Sequence, residues 1–427
     1  MNENKLNKRI VICCDGTWNE PDHSPTNVIK VAHHVKPTAS NGMQQVVFYD
    51  QGVGTGGPID KYIGGATGKG LEKNVLDAYR FIVHNYEPND DIYLFGFSRG
   101  AYTARAVAGL IHAAGILKKD LWEELPKAYE YYRTPPKHRP KTSPLTRENN
   151  IAPRIKMIGV WDTVGSLGAP TPLLKKLTNR WVGFYDTELS PYVEHAYHAL
   201  ALDEKRGPFE PSVWKGLTQN NQQVEQCWFA GVHSDIGGGY ESSEVSDISL
   251  LWLVEKAEAL GLEFDRDDPT FRHSVKPDLL GELHNSYGLP YQLTGSSFIR
   301  QVSKNRPGEY RTTVHSSVFY RMQHSHYVPE LLRQQTQGAG HEKRAHERFH
   351  ALNSEAKIIV ENKDYPCLLA SFSPRSGASI STNLKLKLRD PVGLLLGHRY
   401  IEPQHEEFPH VNAHCVWNVG NSYGLKF

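Results

Sequence analysis

Cysteine is scarce in this chain of 427 residues: there are five, an odd number, and Cys13 and Cys14 sit inside one apolar run. That count and placement argue against a disulfide scaffold and read as free, buried thiols in a reducing compartment. Excess charge is missing too. The 48 Lys and Arg balance 47 Asp and Glu, so a net charge of +1 gives no reason to expect nucleic acid or an anionic membrane as the main partner. No apolar run reaches the length of a spanning helix, about 18 residues or more. The start, "MNENKLNKRIVICCDG", is basic, but its apolar run is short and reads as a first strand, not a secretion signal. The expected location is cytoplasmic, with export only by a system that reads no such signal. Any membrane contact is then a transient one at the surface. Internal repeats and low-complexity tracts are absent.

What is present is alternation. "RIVICCD", "QQVVFYDQG", "DDIYLFGFS", "RIKMIGVWDTVG" and "VEQCWFAGVHSDIGGG" have the short, fully apolar character of strands buried on both faces. Between them lie helical spacings: Val28 to Val35; Leu71, Val75, Ala78, Tyr79 and Ile82; the segment "RGAYTARAVAGLIHAAG"; and "ISLLWLVEKAEALGL", stopped by Gly261. Strands alternating with helices predict an α/β fold, a mostly parallel sheet with helices on both faces. Two long polar stretches, 117–153 and 166–223, read as lid-like insertions. Texture changes near residue 336, where "HEKRAHERFHALNSEAKIIVENKD" is charged and helix-like. The expected organisation is a catalytic domain over 1–335 and a small extension over 336–427.

"DIYLFGFSRGAYTARA" carries G-x-S-x-G between a strand and a helix, with Gly96 and Gly100 flanking Ser98. This context lifts a serine oxygen out of a sheet on a strained turn. A serine hydroxyl then needs a base, and the base needs an orienting carboxylate. In open α/β sheets both are sought at the C-terminal ends of strands. "MIGVWDTVGS" ends at Asp162 and "CWFAGVHSDIGGGY" at His233, giving the chain order Ser98, Asp162, His233. Asp203, in "ALALDEKRGPF", is the rival acid. Backbone N–H donors for an oxyanion are expected from Arg99 and from Gly16 and Thr17 in the loop after the first strand, with Asp15 fixing that loop. The apolar content of 166–223, Trp181 and Phe184 included, predicts a lid that forms an acyl pocket.

Other motifs compete poorly. Gly52-Val53-Gly54-Thr55-Gly56-Gly57 formally matches a dinucleotide fingerprint, with Glu72 downstream, but its last glycine opens no helix. In "VICCDGTWN" the position of a phosphatase nucleophile is Cys13. The pairs His195/His198 and His324/His326 lack the accompanying carboxylate of a metal motif, and Asp15, His233 and Asp235 form only a weak candidate set. No cofactor and no metal are expected. Two function classes stay in view: a serine hydrolase of carboxylic esters, and a catalytically silent scaffold that keeps the fold.

Seven blocks, "CDGTWNEPD…TNV", "YDQGVGTG", "GFSRGAYTARAVAGLI", "IGVWDTVGSLG", "HALALDEKRGPFEP", "WFAGVHSDIGGGY" and "VHSSVFYRM", run in order from about residue 9 to 335. Together they resemble a family of α/β hydrolases, long catalogued as a domain of unknown function, that includes phospholipase effectors of bacterial type VI secretion. The resemblance implies an α/β-hydrolase-like fold and ester hydrolysis, with an ester or phospholipid as substrate. It also implies a triad on Ser98, Asp162 and His233, favouring Asp162 over Asp203.

Overall fold

Strand β1, Arg9–Cys14, is buried along its whole length. Its side chains alternate: Ile10, Ile12 and Cys14 enter one apolar cluster, while Val11 and Cys13 enter another. A strand with an apolar residue on each face belongs in the middle of a three-layer packing. β1 does lie there in the computed structural model, which describes residues 7–16, 24–52, 68–135, 137–140, 153–164, 189–216, 219, 221–288, 291, 297–301, 310–330, 349–360, 363–373, 377–382, 386, 391–395, 410–419 and 422–426.

The sheet has seven strands in the order β2-β1-β3-β4-β5-β6-β7. They are β2 Gln45–Asp50, β3 Asp91–Phe97, β4 Ile155–Trp161, β5 Val193–Ala201, β6 Gln223–Phe229 and β7 Arg311–Val314. Every pairing is parallel. The fold is therefore α/β and α/β-hydrolase-like, as expected. Helices α2 (Gly68–Asn85), α3 (Arg99–Ala114) and α4 (Leu125–Arg133) supply one apolar layer. Helices α1 (Asn27–His34) and α6 (Glu244–Ala259) supply the other. Between them in the chain lies the single turn α5, His233–Gly237; α7 (Pro269–Ser274) and α8 (Ser316–His324) follow. No helix among the described residues is long and apolar enough to cross a membrane.

Three sequence expectations change. The stretch 166–223 is not one insertion, because its second half contains β5, which pairs with both β4 and β6. "VEHAYHALA" hid as a strand because Glu and His interrupt its apolar pattern. The stretch 117–153 contains α4, which sends Leu125, Ala128, Tyr129 and Tyr132 into the core. The helix-like charged segment near 341–364 instead contains strand β8, Phe349–Val360. It joins β9 (Lys363–Ser373), β10 (Gly377–Ser381), β11 (Pro391–Leu395), β12 (His410–Val419) and β13 (Ser422–Lys426) in a closed antiparallel barrel. A shared apolar cluster joins Phe372, Leu369 and Ile358 of the barrel to Phe319, Val314 and Trp228. The Phe319 and Phe372 rings lie 5.3 Å apart.

β1 is flanked by β2 on one side and β3 on the other, so the chain changes direction across the sheet there. The crevice above such a switch point is where open α/β sheets place their ligands. The close fit at this point is made by two glycines. A Cβ on Gly100 would lie 2.0 Å from the Cys14 carbonyl oxygen, and one on Gly96 would lie 2.5 Å from the Gly100 oxygen. Neither backbone neighbour can swing aside. Gly100→Ala should therefore cost about 3 kcal/mol or more of stability. Gly207→Ala, with nothing within 4 Å of the new methyl, should stay within about 0.5 kcal/mol. Urea midpoints of the two variants test this; similar midpoints would show that the elbow tolerates a methyl group.

Candidate active site

Ser98 follows the last residue of β3 and precedes the first of α3, with φ 57° and ψ −117°. A non-glycine residue held at positive φ costs about 1–3 kcal/mol and persists only where its surroundings enforce it. Here the flanking glycines allow α3 to start against β1, and the Ser98 N–H donates to the Trp161 carbonyl at 3.0 Å. Asp162 follows β4 directly and is also at positive φ, 37°. Its N–H donates to Ala199 O at 2.8 Å. The next N–H, that of Thr163, donates to His198 Nε2 at 3.0 Å. The tight turn after β4 is thus held by the neighbouring strand β5.

His233 opens α5, four residues beyond the end of β6. The sequence reading extends that strand to His233; Gly231, at φ 113°, breaks it earlier. The imidazole lies between two aromatic rings, Phe97 at 4.7 Å and Phe209 at 4.9 Å. Its Nδ1 is 2.6 Å from Asp162 Oδ2 and its Nε2 is 2.9 Å from Ser98 Oγ. An ionised carboxylate can only accept, so Nδ1 carries the proton and Nε2 is left to accept from the serine hydroxyl. The three side chains form one hydrogen-bonded line, almost closed to solvent: Ser98 is 8% exposed, His233 5% and Asp162 0%.

Asp162 carries more than the histidine. Arg300 Nη1 donates to its Oδ1 at 2.6 Å and Nη2 to its Oδ2 at 2.9 Å. The Ala201 N–H donates to Oδ1 at 3.1 Å. Burial pushes the carboxyl up, but the Arg300 charge and the hydrogen bonds from His233 and Arg300 outweigh it and hold Asp162 well below the usual carboxylate range. Arg300 escaped the sequence reading. "SSFIRQV" has no motif, and a buried arginine so far along the chain gives no local signal.

The Arg99 residue opens α3 directly after Ser98, and burial draws its guanidinium down to about 10. The Gly16 N–H donates to Asp15 Oδ1 at 2.7 Å. That bond engages the proton expected to face an oxyanion, so Gly16 serves the loop first. Asp15 Oδ2 accepts from Thr26 at 2.6 Å and from Tyr49 at 2.8 Å, which pins the loop as the sequence suggests. Thr17, Trp181 and Phe184 lie outside the described residues, as does most of the glycine-rich run after Gly52.

Asp203 is elsewhere. Its Oδ2 accepts the Gly231 N–H at 2.7 Å and the Tyr327 hydroxyl at 2.6 Å, bracing the loop that leads to His233. Asp235 turns to His284, with 2.6 Å between Oδ1 and Nδ1. Asp15, His233 and Asp235 thus point at three different sets of partners. Among the described residues no cluster of His, Cys, Asp and Glu is arranged to hold a metal. His195 and His198, three apart on a strand, face opposite sides of the sheet. The second neighbour that sequence reasoning missed is Glu204. It accepts the His233 N–H at 3.3 Å while paired in a fork with Arg206 at 2.9 and 2.8 Å.

Residues 8–256 match the family described as T6SS, phospholipase effector Tle1-like, catalytic domain. An uncharacterized protein of Saccharomyces cerevisiae is 30% identical over 255 residues, covering 52% of this chain and 36% of that protein. The chain thus spans about a third of the length of this curated relative. An uncharacterized protein from Pseudomonas aeruginosa aligns in structure with a TM-score of 0.39 at 16% identity, over 64% of this chain and 49% of that one. A Tle1 effector bound to the VgrG spike of the type VI secretion system aligns with a TM-score of 0.33 at 19% identity, over 55% and 51%.

His198 makes a pH dependence of stability. Burial, then the Arg105 charge, draws its imidazole down to about 3. An ordinary histidine titrates near 6.5. As pH falls below about 6.5, the unfolded chain takes up a proton that the folded chain refuses, so stability is full above that pH and is lost on the way down to about 3. His198→Gln keeps an acceptor for the Thr163 N–H and removes the proton. Between about pH 6.5 and 4.5 the wild type should lose about 2 kcal/mol more than this variant. Denaturant melts at the two pH values measure the difference; parallel losses would mean that His198 is protonated in the fold.

Proposed function

The chain belongs to the Tle1-like family of type VI secretion phospholipase effector catalytic domains, and we propose that it is a serine hydrolase that cleaves carboxylic esters of lipids through an acyl-enzyme. The observation that carries this reading is the line Ser98–His233–Asp162, with contacts of 2.9 and 2.6 Å, on an elbow held at positive φ. A phospholipid is the substrate class that family membership supports.

In this reading Ser98 Oγ attacks the ester carbonyl carbon as its proton passes to His233 Nε2. The imidazolium is stabilised by the ionised Asp162 through Nδ1. The carbonyl oxygen becomes an oxyanion and takes the Arg99 N–H and a donor of the Gly16–Thr17 loop. Because Asp15 already engages Gly16, Thr17 is the stronger choice of the two. Collapse of the tetrahedral intermediate breaks the ester bond, and the leaving alcohol receives the proton from His233. Water then attacks the acyl group on Ser98, giving up a proton to His233, and the carboxylic acid departs as Ser98 regains its own. Trp181 and Phe184 keep their proposed role in an acyl-binding lid.

Turnover on a nitrophenyl ester should fall by about 10³-fold or more in Ser98→Ala and by a similar factor in His233→Ala, since members of such a line act as a unit. Asp162→Asn should be comparably severe. Asp203→Asn should be much milder, because Asp203 braces a loop and does not touch the imidazole. A fluorophosphonate should label Ser98 in the wild type and not in Ser98→Ala. Full turnover in Ser98→Ala, with no adduct on Ser98 in the wild type, would remove the assignment and leave the silent-scaffold reading.

A further inference from the structure

Among the described residues, buried charged groups outside the Ser98–His233–Asp162 line include two local sets besides Arg300. The Lys30–Asp247 pair, 2.6 Å apart, ties α1 to α6 inside the core. Asp235, His284 and Ser242 repeat the residue types of a triad at 2.6 and 3.2 Å, but Ser242 occupies no strained turn. Arg300 differs from both because it touches the line itself.

We propose that Arg300 is a positioning residue of this centre: its fork fixes the plane of the Asp162 carboxylate, and its charge shares that carboxylate with the His233 imidazolium and so sets the acid limit of the reaction. The proposal rests on the hydrolase reading of Ser98, His233 and Asp162.

The geometry supports the first half. Both Arg300 and Asp162 side chains have 0% exposure. The guanidinium donates to both carboxylate oxygens, to Ala201 O at 2.8 Å and to Phe209 O at 2.6 Å. Ala201 ends β5, and Phe209 is the ring that lies edge-on to His233. One planar cation therefore aligns the acid, the neighbouring strand end and the loop that walls the base. Lysine, a point donor on a flexible stem, cannot hold this set of acceptors in one plane.

The second half follows from counting charges. With His233 neutral, one carboxylate faces one cation. With His233 protonated, the same carboxylate faces two cations, the imidazolium at Oδ2 and the guanidinium across both oxygens. Other charged groups near the imidazole cancel or stand off. Glu204, at the His233 N–H, is paired with Arg206. Asp235, on the same short helix, is turned to His284. Behind the carboxylate, His198 stays neutral in the working range, with Arg105 beyond it. Among the described residues Arg300 is the cation in direct contact with Asp162. A second cation on the same carboxylate disfavours the imidazolium, so its removal should favour it.

The test is the pH dependence of fluorophosphonate inactivation at Ser98, together with kcat and KM on a nitrophenyl ester, for wild type, Arg300→Gln and Arg300→Lys. In Arg300→Gln the acid limb should move up by about one pH unit and kcat should fall with KM nearly unchanged, because Arg300 meets no substrate. In Arg300→Lys the limb should stay near its wild-type position while the plateau falls by about tenfold. An unmoved limb in Arg300→Gln would reduce Arg300 to a strap of the fold and overturn the charge sharing. A full plateau in Arg300→Lys would overturn the role of the fork, and this variant alone decides if Arg300→Gln does not fold. Failure of the wild type to take label at Ser98 is a separate result: it removes the hydrolase reading, and this proposal with it.

Discussion

A carboxylate with no exposure to water lies at the end of β4, and much of the molecule is arranged around keeping it charged. Taking an ion such as Asp162 out of water costs several kcal/mol unless partners replace the lost hydration. The replacements come from three separate parts of the chain: the His233 ring, the Arg300 fork and the Ala201 N–H. Each is supplied by a different segment, so the carboxylate stays ionised only when the sheet, the β5 end and the segment around Arg300 are all assembled. Burial and charge here are one constraint, and it couples the correct fold to the correct protonation state.

Strain is the second consequence. Ser98 and Asp162 both sit at positive φ, and both directly follow strands of the central sheet. Each is held by backbone bonds to its neighbour: Ser98 to the Trp161 carbonyl, Asp162 to the Ala199 carbonyl. The unfavourable conformations are carried by buried strands whose large apolar side chains contribute about 2 kcal/mol each. Adjacent parallel strands therefore present a serine and an aspartate at one edge, and the loop after β6 adds His233 from the far side of Asp162. The loop is itself braced, by Asp203 at Gly231, by Glu204 at the His233 N–H and by Asp235 at Val232. Asp203, the rival acid, thus holds the backbone of this loop together with Glu204 and Asp235, while Asp162 holds the His233 ring.

Local sequence chemistry marked a good part of this. The strands β1, β3 and β4 were legible because they are buried on both faces, which leaves an unbroken apolar run. The elbow was legible because α3 starts so close to β1 at Gly100, and to its own strand β3 at Gly96, that only glycine fits at either position. β5 was not legible. It carries His195 and His198, and its place in the middle of the sheet comes from pairing with β4 and β6, not from its own pattern. β8 was misread for the opposite reason: its charged residues suggested a helix face, whereas closure of the barrel pairs it with β9 and β11.

The sequence by itself determined the alternation of strand and helix, the elbow at Ser98 and the residue types able to surround it, because each depends on neighbours within a few positions. Only the tertiary structure decided which carboxylate meets the histidine, that Gly16 gives its N–H to Asp15, and that Arg300 closes on Asp162 from 138 residues away. The physical reason is the range of the forces involved. Backbone conformation and apolar periodicity are written in consecutive residues, whereas the pairing of buried charges is settled only when distant segments are brought together and water is removed from between them.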